Sequence, residues 1–122
     1  MSRESIRQAF KTAVESVFSG QVFTSRLNDL RETTEYATIY IESGEINPNF
    51  SGFETTSDIA IKYAKQNASD AELDQVMDGI IVAILSSPEI KEEAGNILFS
   101  RFEYDDESDD VVSITYTANI IY

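Results

Sequence analysis

The stretch Val111-Val112-Ser113-Ile114-Thr115-Tyr116-Thr117-Ala118-Asn119-Ile120-Ile121-Tyr122 alternates with a period of two. Val112, Ile114, Tyr116, Ala118, Ile120 and Tyr122 are apolar, whereas Ser113, Thr115, Thr117 and Asn119 are polar, so this is a strand with one buried face. A strand whose apolar positions continue to the last residue has to be tied into a sheet or a neighbouring subunit, because free ends otherwise fray. Upstream, Asn96 to Tyr104 reads as its hairpin partner. Between them the run Glu103-Tyr104-Asp105-Asp106-Glu107-Ser108-Asp109-Asp110 reads as an acidic tip, with charges that discourage edge pairing with other chains.

Working toward the N-terminus, Ser69 followed by Glu72 has the capping-box spacing that opens a helix. Leu73, Val76, Met77, Ile80, Ile81, Ile84 and Leu85 form its apolar stripe, with Asp74 and Asp78 facing away. Gly79 inside this helix suggests close approach to a strand. Ser86-Ser87-Pro88 ends it, and Glu89 to Ala94 makes a short helical turn before Gly95.

Earlier still, Tyr36-Ala37-Thr38-Ile39-Tyr40-Ile41 is a strand rich in β-branched and aromatic residues. Thr55 to Ala64 alternates Ser57, Ile59, Ile61 and Tyr63 against Asp58, Ala60, Lys62 and Ala64, which makes a second strand. The intervening ESGEINPNFSGFE, residues 42–54, concentrates Gly44, Asn47, Pro48, Asn49 and Gly52, and predicts a long turn or mobile loop. Phe50 and Phe53 within it either pin the loop to the body or meet a partner. Residues 3–18 carry Ile6, Phe10, Ala13, Val14, Val17 and Phe18 at helical steps, with Ser2 as N-cap and Ser19-Gly20 as the stop. Val22 and Phe23 suit a short strand, and Leu27 to Glu35 is a polar connection.

The order of elements predicts an α+β fold over a single domain, residues 1–122. Its antiparallel or mixed β-sheet has four to five strands, with two main helices packed on one side. A hydrophobic content of 42%, two prolines and five glycines fit an ordinary folded domain.

Cysteine, histidine and tryptophan are absent, which removes thiolate nucleophiles, imidazole bases and the usual zinc ligands. The acidic run lacks the alternating ligands, central glycine and terminal glutamate of a calcium loop. No nucleophile elbow or glycine-rich phosphate loop occurs. The expectation is a protein that is not an enzyme and has no cofactor or metal. No run reaches the length of a membrane span, and the N-terminus is read as a polar helix without a signal segment, so no membrane partner is expected.

The net charge is −13, which disfavours binding to nucleic-acid phosphates. Residues 1–31 nevertheless carry Arg3, Arg7, Lys11, Arg26 and Arg31 against three acids, a local +2 that leaves −15 for the rest of the chain. Such asymmetry can orient self-association, the basic end of one copy meeting the acidic flank of the next.

The strand YATIYI, the segment ESGEINPNFSGFE, the strand TTSDIAIKYAKQN, the helix opening SDAELDQVMDGI and the ending FSRFEYDDESDDVVSITYTANIIY have a familiar order. Behind an amphipathic N-terminal helix, they resemble the tail terminator proteins of long-tailed phages, the lambda minor tail protein U group. The likeness covers nearly the whole chain in element order and length; residues between Phe18 and Tyr36 carry no motif of the family. It implies a virion protein at the head-proximal end of the tail, assembled in the host cytoplasm. Such a protein forms a homo-oligomeric ring, a hexamer, which stops growth of the major tail tube protein and offers its other face to the head-tail connector protein. DNA passes through the lumen without specific binding, and an acidic lining would prevent sticking. On this reading Gly44, Asn47, Asn49, Phe50 and Phe53 form a tube- or lumen-facing element. Arg3, Arg7, Lys11, Arg26, Arg31, Asp105, Asp106, Asp109 and Asp110 form the ring interface or rim. The alternatives are another neck component, either a head-tail connector or a tail-completion adaptor, or a small acidic protein-binding module.

Overall fold

A computed structural model describes residues 3–24, 34–49, 52–94, 96–108 and 110–121, with the backbone alone at 47, 49, 52–54 and 108. In chain order the elements are α1 (Arg3–Glu15), β1 (Gln21–Phe23), β2 (Glu35–Asn49), β3 (Gly52–Gln66), α2 (Asp70–Ser86), α3 (Pro88–Glu93), β4 (Asn96–Ser108) and β5 (Val111–Ile121). The five strands form one mixed sheet in the order β1-β2-β3-β5-β4. Only the β1 to β2 pairing is parallel; the other three are antiparallel. The α+β expectation therefore holds, with α1 and α2 as the main helices.

Alternation along the strands decides which side the helices cover. Ala37 and Ile39 of β2, Ile59, Ile61 and Tyr63 of β3, and Ile114, Ala118 and Ile120 of β5 are buried on one face. They pack against Ile6, Phe10 and Val14 of α1, Leu73, Met77, Ile80 and Ile84 of α2, and Ile90 of α3. Burying each large aliphatic or aromatic side chain contributes about 1.5–3 kcal/mol, and that face is what holds the helices to the sheet. α1 packs on β1 and β2, and α2 on β3 and β5. Their ends follow the sequence. The Ser69 hydroxyl accepts the Glu72 N–H at 3.2 Å to cap α2, and Ser87 accepts that of Ile90 at 3.2 Å to cap α3. After α1 the chain turns, so Val17 leaves the helical spacing and is exposed. Phe18 returns to the core edge-on to Tyr63 at 5.5 Å.

Four local expectations need correction. Residues 42–49 and 52–54 are not an irregular loop; they continue β2 and β3 as paired strands up to Asn49↔Gly52. Backbone pairing across the hairpin outweighs the breaker-rich composition, and among the described residues Pro48, close to its end, has no third strand beside it that needs its missing N–H. The acidic run is likewise mostly strand, since β4 extends to Ser108. An edge strand open to solvent tolerates charges on both faces. Gly79 does not approach a strand: a Cβ there would meet nothing within 4 Å. Finally, β5 is not polar and wet on its second face, because Ser113, Thr115 and Thr117 are also buried.

Candidate assembly surfaces

Among the described residues, no helix lies over that second face. Tyr36, Thr38 and Tyr40 of β2, Ala60, Lys62 and Ala64 of β3, Ser113, Thr115 and Thr117 of β5, and Arg101, Glu103 and Asp105 of β4 share it by register. The small central residues are shielded by long neighbours that reach across them. Lys62 of β3 pairs with Glu107 of β4, and Glu107 also accepts the Ser113 hydroxyl at 2.8 Å. Arg101 of β4 pairs with Glu42 of β2 at 3.0 Å, although two strands lie between them, a flat-sheet separation of roughly 14 Å at the usual strand spacing.

The irregularities in register explain how these pairs form. The sheet carries bulges at Ile41/Ser43, Phe99/Arg101 and Asp106/Ser108. Glu42 and Glu107 are the residues skipped by two of them, and Arg101 adjoins the third. A bulge bends its strand and re-aims a side chain, and here all three deliver the charges that cross the sheet. Burial and the nearby charges of Glu107 and Tyr40 push the Tyr36 phenol up to about 12.

Three residue pairs beyond the first bulge the hairpin leaves the sheet. The last pairing of β3 with β5 is Thr56↔Ile121, and Thr56 faces Glu45, so residues 46–49 and 52–55 form a two-stranded ribbon with no third strand among the described residues. Four residues on each strand at about 3.3 Å each extend it by roughly 13 Å. Ser43, Gly44, Glu45, Ile46 and Pro48 are exposed, Ile46 to 61%. Gly44 stands at the root: a Cβ there would lie 2.6 Å from the Thr56 carbonyl oxygen and 2.9 Å from the Ser57 hydroxyl. Asn47, Asn49 and Phe53 occupy register positions in the ribbon opposite Glu54, Gly52 and Pro48, while Phe50 lies outside the described residues.

At the β4 edge the helix-side face is left open. Phe102 and Tyr104 are 57% and 43% exposed. Phe102 stacks on Tyr116 at 5.6 Å, and Phe99 meets Tyr116 edge-on at 6.1 Å. The Tyr104 hydroxyl donates to Asp74 at 2.5 Å; this bond, with burial and the Asp74 and Asp70 charges, pushes its phenol up to about 12. Burial and the charges of Asp78 and Asp74 raise Tyr116 as well. Ile81 and the half-exposed Leu85 follow Asp74 and Asp78 along the same flank of α2, at steps of three and four residues. Leu85 was expected in the core stripe; it is exposed because it faces this uncovered edge.

The basic residues sit at the other end of the sheet. Arg3, Arg7 and Lys11 recur every four residues along one flank of α1. Ser5, which donates to Glu93 of α3 at 2.9 Å, lies on the opposite flank, 160–240° away at about 100° per residue. The basic flank is therefore turned away from α3. Arg7 pairs with Glu4 at 2.9 Å, and the Glu4 carboxyl is lowered by its hydrogen bond from Gln8 and by Arg7.

The structure separates the acids that the sequence grouped together. Asp105 faces the helix-free side and Asp106 the helix side, and the Asp106 N–H donates to the Asp105 carboxylate at 3.0 Å. Asp110 is a turn residue with φ of 67°, and its carbonyl accepts the Asn67 N–H at 2.9 Å. Arg26, Arg31 and Asp109 lie outside the described residues. Among the described residues, no group of three or more acids is placed to hold a metal ion, and no helix is long and apolar enough to cross a membrane. Sequence reasoning missed Asp74, Asp78, Phe102 and Tyr116 as a group; the exposed aromatics at alternate strand positions were the available signal.

No family model and no curated protein matches the chain by sequence. In structure it is similar to a chain from "Virion of native gene transfer agent (GTA) particle", with a TM-score of 0.58 and 11% sequence identity over 94% of this chain and 92% of that one. Identity at that level shows a shared fold.

Proposed function

We propose that the protein is a structural virion component and acts as a tail terminator. It forms a ring on the completed tail tube, blocks addition of further tube subunits and offers its opposite face to the head connector. The carrying observation is the ribbon of residues 46–49 and 52–55, which leaves a well-packed body with both edges unpaired among the described residues. Isolated two-stranded ribbons are marginal in water, and an unpaired strand edge is a ready template for another chain, so this element suits docking on a tube subunit. The fold shared with a gene transfer agent virion chain supports the same reading. So does the sequence resemblance to tail terminators.

The unlike ends of the sheet, basic on the α1 side and acidic and aromatic on the β4 side, suit the heterologous contacts of a cyclic ring. The acids on the helix-free face suit a lumen through which DNA slides.

The test is deletion of residues 47–52. The variant should keep the helical and sheet signal of the parent and lose the ability to stop tubes growing, so that electron microscopy shows overlong tails. Tails of normal length would refute the assignment of the ribbon. A protein that binds portal-bearing heads before tubes would instead be a connector.

A further inference from the structure

We infer that the groove between α2 and the β4 edge is a socket for the basic flank of α1 from a second copy of this chain. The inference rests on the ring reading and assigns its interface. Asp74 and Asp78 of α2 lie beside Tyr104 and Tyr116, Phe99 and Phe102 pack on Tyr116, and helical spacing puts Ile81 and Leu85 on the same flank of α2 as the two acids. A groove of aromatic faces bordered by carboxylates binds cations twice over, through ion pairing and through cation–π contact, for which arginine is favoured.

The partner is written in the same chain. Arg3, Arg7 and Lys11 form one row along α1, spanning about 12 Å at 1.5 Å per residue, against about 16 Å for the row from Asp74 to Leu85. The row cannot reach its own groove: α1 packs on β1 and β2, and the groove opens beyond β5 at the far edge. Donor and acceptor surfaces at opposite edges of one subunit make a head-to-tail contact, which closes into a ring when the rotation per subunit divides the circle. The docked helix would cover Phe102 and Tyr104, as α1 and α2 already cover the rest of that face.

The test exploits the absence of cysteine from the chain. In the full-length K11C/F102C double variant, a short bismaleimide should link copies into a ladder that ends at the ring size. L98C replaces F102C as the control, since Leu98 is exposed on the opposite face of the same strand, and it should give no ladder. Asp78→Lys should weaken association at least tenfold by sedimentation, and adding Lys11→Glu should restore it to within about threefold. Rings that form without the K11C/F102C ladder, or that ignore Asp78→Lys, overturn the socket while leaving the ring reading intact. A chain that stays monomeric at high concentration and on tubes overturns both.

Discussion

Gly44→Ala should release the ribbon without unfolding the body. The added Cβ would stand 2.6 Å from the Thr56 carbonyl oxygen, inside ordinary contact by nearly an ångström, and the obstructing atom is backbone. Ser57 can turn its hydroxyl away, but Thr56 can yield only if the two strands part. Overpacking of this kind costs about 1–3 kcal/mol. Gly44↔Ser57 lies two residue pairs before the sheet narrows to two strands, so the adjoining ribbon is released first, while Ile59, Ile61 and Ile114 stay locked between β2, β5 and the helices. Hydrogen exchange reads the outcome directly: ribbon amides protected in the parent should exchange roughly 5- to 150-fold faster, the factor equivalent to that energy. Core amides should keep their protection and the thermal midpoint should move little. Tube capping should weaken in parallel. Unchanged ribbon protection would refute the steric argument, and a uniform loss across the body would refute the view that the ribbon is mechanically separate.

Two further outcomes follow from the same structure. Gly79→Ala should stabilise the protein by about 1 kcal/mol, because the site is open and glycine only costs helix entropy; a denaturant midpoint that falls would mean a hidden contact. Stability should also decline from about pH 10 to pH 12. Tyr36 and Tyr104 are held up to about 12 and Tyr63 and Tyr116 are raised, whereas an unfolded tyrosine ionises near 10. In that window the unfolded chain binds fewer protons than the native one, so the equilibrium shifts toward unfolding as pH rises. Urea midpoints that stay constant across the window would contradict the burial and hydrogen bonding assigned to these phenols.

Periodicity alone determined much of this protein. The alternation in Thr55 to Ala64 and Val112 to Ile120, the stripe from Leu73 to Ile84 and the Ser69 cap are local patterns, and local patterns dictate which face of an element is apolar. The α+β class and the buried residues followed from them. The opposite basic and acidic ends were legible too, because charge can be counted along the chain.

Tertiary structure alone decided where those surfaces meet the outside. Residues 42–54 look like a loop by composition, yet cross-strand pairing makes residues 42–49 and 52–54 continuations of β2 and β3. The acidic run looks like one tip, yet β4 deals Asp105 and Asp106 to opposite faces. Strand order placed β5 inside the sheet and left β4 at the edge, so Phe102 and Tyr104, together with Leu85, which was expected inside, border an open groove. Bulges brought Glu42 to Arg101 and Glu107 to Lys62 across the sheet. Register, bulges and strand order arise from contacts between residues distant in sequence, and no short window of the chain encodes them.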